Sequence, residues 1–255
     1  MSEHSPLPPS PPLRLMTVNI HKGYNAFNRR FVLHELREAV RAVRSDLVFL
    51  QEVEGASGSA SAAIGAQYEF LADQIWPDHA YGRNAVAEGQ DHGNAVLSRF
   101  PVVRSYNHDV SLPGVEPRGL LHCVLARPAG LSELHVMCVH LGLTEMHRRH
   151  QLAKLCETAL REVPADAPLV VAGDFNDWRS RADVMLAPCG LIEVFRHTNG
   201  CHARTFPARH PLLRLDRIYV RGIAAFRPLP MPRQPWDHLS DHAPLAAELD
   251  LEERL

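Results

Sequence analysis

Asp174, Asn176 and Asp177 fall within four residues in the stretch LVVAGDFNDW, directly behind Leu169, Val170, Val171 and Ala172, which read as a strand built for a core. Burying an unpaired carboxylate is costly, so such a cluster is either a solvated turn or a place where something positive sits. Other apolar runs stop or start on the same kinds of group. MTVNIH ends with Asn19 and His21, VFLQEV carries Gln51 and Glu52, MCVHLG supplies His140, RLDRIYV carries Asp216, and Ser240, Asp241 and His242 precede the last apolar run. Any one of these, alone, is usually a cap or a satisfied core group. Six apolar runs ending on one edge of a sandwich would line a cleft with them. Carboxylates are hard oxygen donors suited to Mg2+ or Mn2+, and Asn and His donate hydrogen bonds to phosphate oxygens. The cysteines do not stand beside histidines at zinc spacing, and His147 and His150 lie in the run HRRH, which reads as a solvated helix face.

The bulk numbers bound what this chemistry can serve. The 27 basic and 29 acidic side chains give a formal net charge of −2, so no global positive field draws in nucleic acid. That weakens the case for a nucleic-acid substrate without removing it. Five cysteines without a CxxC pair, several in apolar runs such as LLHCVLA, fit buried free thiols in a reducing compartment. The start, MSEHSPLPPSPP, lacks the basic and apolar segments of a signal peptide, and no run approaches the ~18 apolar residues of a membrane span. A cytoplasmic protein is expected, with residues 1–12 as a disordered or polyproline II tail and residues 13–255 as one domain.

The elements that must hold the polar ends follow from periodicity. LRLMTVNI (13–20) and DLVFLQEV (46–53) are β-rich, and Val32, Leu36, Ala39, Val40 and Val43 recur between them at helical spacing behind Asn28 as N-cap. Residues 54–66 read as a loop entering a small-residue helix that ends before Trp76. Three β-like runs follow, NAVLSRFPVV (94–103), GLLHCVLA (119–126) and ELHVMCVHL (133–141), expected to be antiparallel neighbours. From Thr144 to Glu162 a second amphipathic helix presents Leu152, Leu155, Cys156, Ala159 and Leu160. After the quoted stretch come a short helix near 181–187 and the runs 214–220, 222–229 and 243–251. Strands follow strands in some places and alternate with helices in others, so neither a pure doubly wound sheet nor an all-β sandwich fits, whereas an α/β (α+β) arrangement of two mixed β-sheets packed face to face with helices outside does.

GDFN, LDRIYV and SDHAPL, in that order and preceded by NIH, QEV and VHL, resemble the endonuclease/exonuclease/phosphatase superfamily over about residues 13–250. The resemblance implies a four-layer sandwich of this kind and metal-dependent hydrolysis of phosphoesters. It implies that Glu52 is the principal metal ligand and that Asn19 and Asp241 complete the site, directly or through water. Asp216 and His242 match a carboxylate–imidazole pair; the competing reading of Asp216 is a buried salt bridge to Arg214 or Arg217. His140 matches a second imidazole, Asp174 a group that orients or deprotonates the attacking water, and Asn176 a donor to a non-bridging oxygen. Arg118 matches a phosphate-contacting arginine and Asn94 a supporting amide, while Asp177 reads as a turn residue. His21 stands where AP endonucleases of the superfamily carry an acid, which speaks against AP-site cleavage. Three readings of function compete: a phosphodiesterase of the nuclease type, a hydrolase of lipid headgroups or small phosphoesters, and a non-catalytic binding module on the same fold. The partner is a phosphoester substrate, nucleic acid among the possibilities, and no obligate protein partner is evident.

Overall fold

The computed structural model describes residues 11–26, 30–55, 65–87, 90–127 and 131–251. The Asn28 cap, most of the proline-rich start and the body of the 54–66 loop lie outside these residues. Among the described residues, twelve strands, numbered in chain order, form two six-stranded mixed sheets. Sheet 1 runs in the order β11 (Ala225–Leu229), β12 (Leu245–Asp250), β1 (Leu13–Asn19), β2 (Leu47–Glu54), β4 (Gln90–Ser98), β3 (Asp78–Ala87). Sheet 2 runs β5 (Val102–Asp109), β6 (Gly119–Leu125), β7 (Leu134–His140), β8 (Leu169–Asp174), β10 (Asp216–Arg221), β9 (Ile192–Glu193). Each sheet is antiparallel except for one central parallel pair, β1 with β2 and β7 with β8. A helix bridges each pair, because parallel neighbours need a crossover: α1 (Leu33–Val43) and α3 (Glu145–Glu162). Of four shorter helices, α2 (Gln67–Ala72) and α6 (Trp236–Leu239) pack on the outer face of sheet 1 and α4 (Ala182–Leu186) on that of sheet 2, while α5 (Val194–Asn199) joins the core between the sheets through Val194 and Phe195.

Side chains alternate faces along a strand, so parity sorts each strand into two layers. Leu13 and Leu15 of β1, Leu47 and Phe49 of β2, Val136 and Cys138 of β7, Val170 and Ala172 of β8, and Ile218 of β10 meet between the sheets in one apolar core. Their neighbours face outward. Met16, Val18, Val48 and Leu50 pack under α1 through Leu33, Leu36 and Val40. Met137, Val139, Leu169 and Val171 pack under α3 through Leu152, Leu155, Cys156 and Ala159. Fully burying each Val, Leu, Ile, Phe or Met among them stabilises the fold by ~1.5–3 kcal/mol.

Several expectations are corrected. NAVLSRFPVV is two strands in different sheets, since the chain turns at Arg99–Pro101, where Pro101 lacks an N–H and Ser98 Oγ bonds both the N–H and the carbonyl of Phe100 (2.9 and 2.7 Å). The antiparallel neighbours are therefore β5, β6 and β7. β3 is an additional strand at the edge of sheet 1. Leu160 is exposed, because the buried stripe of α3 continues from Ala159 to Val163 and Leu160 lies a helical step off it. Arg148 of HRRH is buried: its guanidinium donates to the carbonyls of Gly142 and Leu143 and lies 4.7 Å from the centre of the Trp178 ring. All five cysteines are free, four of them buried. No helix among the described residues is long and apolar enough to cross a membrane.

Two features generate tests. Gly173 has φ +148°, and a Cβ there would stand 2.0 Å from the Val139 carbonyl oxygen on the adjacent strand. Gly173→Ala is expected to lower the unfolding free energy by ~1–3 kcal/mol from backbone strain alone, measured by urea denaturation. Asp183 at the start of α4 accepts hydrogen bonds from Tyr219 Oη (2.6 Å), His202 Nε2 (2.9 Å) and Arg196. Burial alone would raise its carboxyl, but these bonds hold it well below the usual carboxylate range. A depressed folded pKa stabilises fully above the unfolded value and is lost as pH falls toward the folded one. The stability difference between wild type and Asp183→Asn should be constant above about pH 5 and shrink below about pH 4.

Candidate active site

Parity and strand direction together place the polar ends at one edge of the core. Asn19 and Gln51 lie on the inner face at the C-terminal ends of β1 and β2, paired in register, and His140 and Asp174 occupy the equivalent ends of β7 and β8. β10 is antiparallel to β8 and starts beside that end, so Asp216 sits opposite Asp174. Ser240, Asp241 and His242 lead into β12, which is antiparallel to β1, and arrive at the same edge.

Glu52 is the exception to parity. An unbroken β2 would aim it at the outer face, but the pairing of β2 with β4 shifts register between Leu50 and Val53 and Glu52 takes φ +55°. This bulge turns the carboxylate to Asn19 Nδ2 at 3.1 Å and to 4.0 Å from His140 Nε2. Asn176, also left-handed at φ +50°, closes the turn after β8.

Asp174 is the hub. Its Oδ1 accepts the Asn176 backbone N–H at 2.9 Å, and its Oδ2 accepts from Asn19 Nδ2 at 3.3 Å and lies 3.5 Å from His140 Nε2 and 3.7 Å from His242 Nε2. Burial raises the Asp174 carboxyl to about 6, the Asp216 charge adding to it and His242 and the hydrogen bonds opposing it. His242 Nδ1 is 2.9 Å from Asp216 Oδ2, which settles the alternative for Asp216: its carboxylate partners the imidazole, not Arg214 or Arg217. Burial alone would lower the His242 pKa, but the carboxylates of Asp216 and Asp174 push it up to about 10. His140, by contrast, is held well below its ordinary value by burial, then by the charges of Arg118 and His242. Two buried imidazoles around one carboxylate are thus set to opposite protonation states.

The edge of the mouth is more exposed at His21 and Asp241, while Arg118 is nearly as buried as the two imidazoles. Asp241 and His21 face each other, with His21 Nδ1 3.9 Å from Asp241 Oδ1. Arg118 donates to Glu116 at 2.8 Å, and Glu116 in turn lies 3.0 Å from His92 Nε2, a bond that holds its carboxyl below the ordinary value. Asn94 is set back from this edge: fully buried, its amide donates to the carbonyls of Gly119 (3.0 Å) and Cys138 (3.3 Å) across the sheets. Gln51 makes a similar cross-sheet contact to Cys138 Sγ at 3.2 Å. One hydrogen of the Asn176 amide goes to the Leu141 carbonyl. Asp177 is a buried cap, accepting the Ala182 N–H at 2.8 Å.

The donors fit a hard divalent cation. Glu52 and Asp241 are partly exposed carboxylates, and Asn19, which touches Glu52, brings a carboxamide oxygen that also accepts the His21 N–H. Asp216 Oδ1 is buried without a hydrogen-bond partner, an open acceptor on the carboxylate whose other oxygen pairs with His242.

Sequence reasoning missed residues that position others. Arg217 is fully buried and donates to the carbonyls of Arg214 (2.8 Å), Asp216 (2.9 Å) and Asp177 (3.0 Å), tying together the turns on both sides of the hub. Phe206 packs its ring 5.1 Å from that of His242. A cation inside the apolar strand RLDRIYV was the available signal for Arg217. His92 and Glu116 carried none.

A profile of the Endonuclease/Exonuclease/phosphatase family matches residues 16–242. YbhP of Escherichia coli strain K12, an uncharacterized protein, is 53% identical over 244 residues, covering 93% of this chain and 96% of its own. An endonuclease/exonuclease/phosphatase from Beutenbergia cavernae superposes with a TM-score of 0.75 at 23% identity, over 95% of this chain and 72% of that one. TDP2 of Danio rerio, solved with a single-strand DNA product, gives 0.69 at 18% identity over 93% of this chain and 98% of that one. Fold and site define a protein of the phosphoesterase type. The chain belongs to the endonuclease/exonuclease/phosphatase family.

Arg217→Met would leave three buried carbonyls without their donor. A loss of roughly 3 kcal/mol in urea unfolding is expected, with Arg217→Lys recovering only part because an ammonium cannot reproduce the planar fork.

Proposed function

We propose that this chain is a divalent-metal-dependent phosphodiesterase of the nuclease type, acting by in-line attack of water at phosphorus from a single catalytic domain that starts near residue 13. The observation that carries the reading is the convergence on Asp174 Oδ2 of Asn19, His140 and His242, drawn from three separate strand ends. Glu52, Asn19 and Asp241 are the residues that would hold Mg2+ or Mn2+, and a bound ion supplies Lewis-acid stabilisation of charge on the phosphoryl oxygens.

The chain's own groups supply the rest. Asp174, with its carboxyl raised to about 6 by burial, ionises just below neutral pH and accepts the proton of the attacking water. Asp216 fixes the ring of His242 through Nδ1 and keeps it charged, so that Nε2–H faces the pocket as a donor to the oxygens where negative charge grows. Neutral His140 contacts the phosphate, Asn176 offers its second amide hydrogen to a non-bridging oxygen, and Arg118 binds phosphate at the rim. Asn94 supports from behind, through the carbonyls it bonds. Five free cysteines favour a reducing compartment, the cytoplasm.

A second reading, hydrolysis of a lipid headgroup or small phosphoester, is favoured by the net charge of −2 and by a rim that mixes Glu116 and Asp241 with Arg118 and His92. One panel tests both. DNA, RNA, phospholipid and sugar phosphates are offered with Mg2+ or Mn2+ and with chelator. Hydrolysis should require the metal, and Glu52→Gln or His242→Ala should reduce it ~10²-fold or more with unchanged circular dichroism. Undiminished turnover in either variant would refute the assignment. Binding to a long nucleic acid should weaken steeply with salt; flat dependence together with activity on a headgroup analogue selects the second reading. No hydrolysis of any substrate would leave a binding module.

A further inference from the structure

The outer face of sheet 2 carries a second cluster that the phosphoester chemistry does not use. His108 of β5, His122 of β6 and His135 of β7 sit side by side there, and Glu162, the last residue of α3, reaches down onto them. Glu162 Oε2 lies 3.0 Å from His108 Nε2 and 3.6 Å from His122 Nδ1, and the three atoms are all within 4.8 Å of one another. Both nitrogens face the Glu162 carboxylate, but neither is aligned for a hydrogen bond to it or to any other group, although His122 is 2% exposed. A buried polar nitrogen without a partner is costly and calls for an explanation.

The surroundings pre-orient all three groups. His122 Nε2 is 3.0 Å from His135 Nδ1; with the proton on His122 Nε2 donated to that acceptor, His122 Nδ1 presents a bare lone pair toward Glu162. Arg161 donates to the other oxygen of Glu162 at 2.8 Å and leaves Oε2 turned to the histidines. The rings of His108 and His122 are near parallel, 28° apart.

We propose that His108 Nε2, His122 Nδ1 and Glu162 Oε2 form a second metal site, one for Zn2+, separate from the phosphoester centre. Zinc bonds of ~2.0–2.2 Å in tetrahedral geometry put ligand atoms about 3.3 Å apart. Two of the three edges measure 3.0 and 3.6 Å. Two imidazoles and one carboxylate prefer Zn2+ to the hard Mg2+, and water completes the coordination at the partly exposed side formed by His108 and Glu162. The ion would pin the C-terminal end of α3 to β5 and β6. His108 and His122 have the outer-face parity of Leu120 whereas His140 continues the inner-face series of Val136 and Cys138, so sheet 2 itself stands between the two centres.

The test is Zn2+ titration of the chelator-stripped full chain under excess Mg2+, read by calorimetry and by competition with a chromophoric chelator. One equivalent is expected in wild type and in Glu52→Gln, which separates it from ions held at the other centre. His108→Ala and Glu162→Gln should each weaken that equivalent by more than about 100-fold, and His135→Phe by ~10–100-fold through loss of the orienting acceptor. Co2+ in place of Zn2+ should show the visible bands of a four-coordinate ion in wild type and lose them in His108→Ala. The two substituted ligands, His108 and Glu162, are partly exposed, and melting curves of the stripped variants verify that they fold. Absence of a Zn2+ equivalent in wild type, or its survival in both His108→Ala and Glu162→Gln, would overturn the proposal.

Discussion

A carboxylate stands at the end of an apolar core, and the functional edge is organised around satisfying it. Asp174 continues the inner-face series of Val170 and Ala172, so the strand that builds the core also drives an ionisable group into it. A charge in that position needs donors on every side. The backbone of Asn176 and the amide of Asn19 donate to it and two imidazole nitrogens lie 3.5 and 3.7 Å away, each from a different segment. Compensation is incomplete, and the elevated carboxyl of Asp174 shows it. A group left partly uncompensated at the mouth of a cleft is one that can still take up a proton.

Much of this was legible because alternation is simple. Asn19, His140, Asp174 and Asp216 each terminate an apolar series with the right parity, so the pattern alone aims them at one layer. Glu52 was not legible that way. Parity sends it outward, and the reversal depends on a bulge whose signal is a register shift against β4, which a single strand does not reveal. Its place at a polar strand end was visible, but the face it would take was not. NAVLSRFPVV is β-rich from end to end, and its division between two sheets depends on long-range pairing. β3, an edge strand with Asp78, His79, Gly82, Arg83 and Asn84, lacks the apolar alternation that marks its neighbours. Arg148 and Arg217 read as solvated or ion-paired because their partners are backbone carbonyls, which every residue carries and no sequence distinguishes.

The two layers contribute to the pocket almost equally. Sheet 1 brings Asn19, Glu52, Asp241 and His242; sheet 2 brings His140, Asp174 and Asp216. The hydrogen bonds Asn19–Asp174 and His242–Asp216 cross the gap, and Gln51–Cys138 and Asn94–Gly119 stitch the sheets just behind. The apolar core therefore sets spacing as well as stability.

That shared construction makes the pocket a gauge of interlayer shear. Sliding one β-layer past the other leaves every individual strand intact yet pulls apart groups supplied from opposite sides, and a misplacement of about 1 Å is enough to cost two orders of magnitude in rate. Substitutions deep among Phe49, Val136 and Ile218, remote from any reacting atom, would then be felt as altered catalytic geometry before they are felt as unfolding.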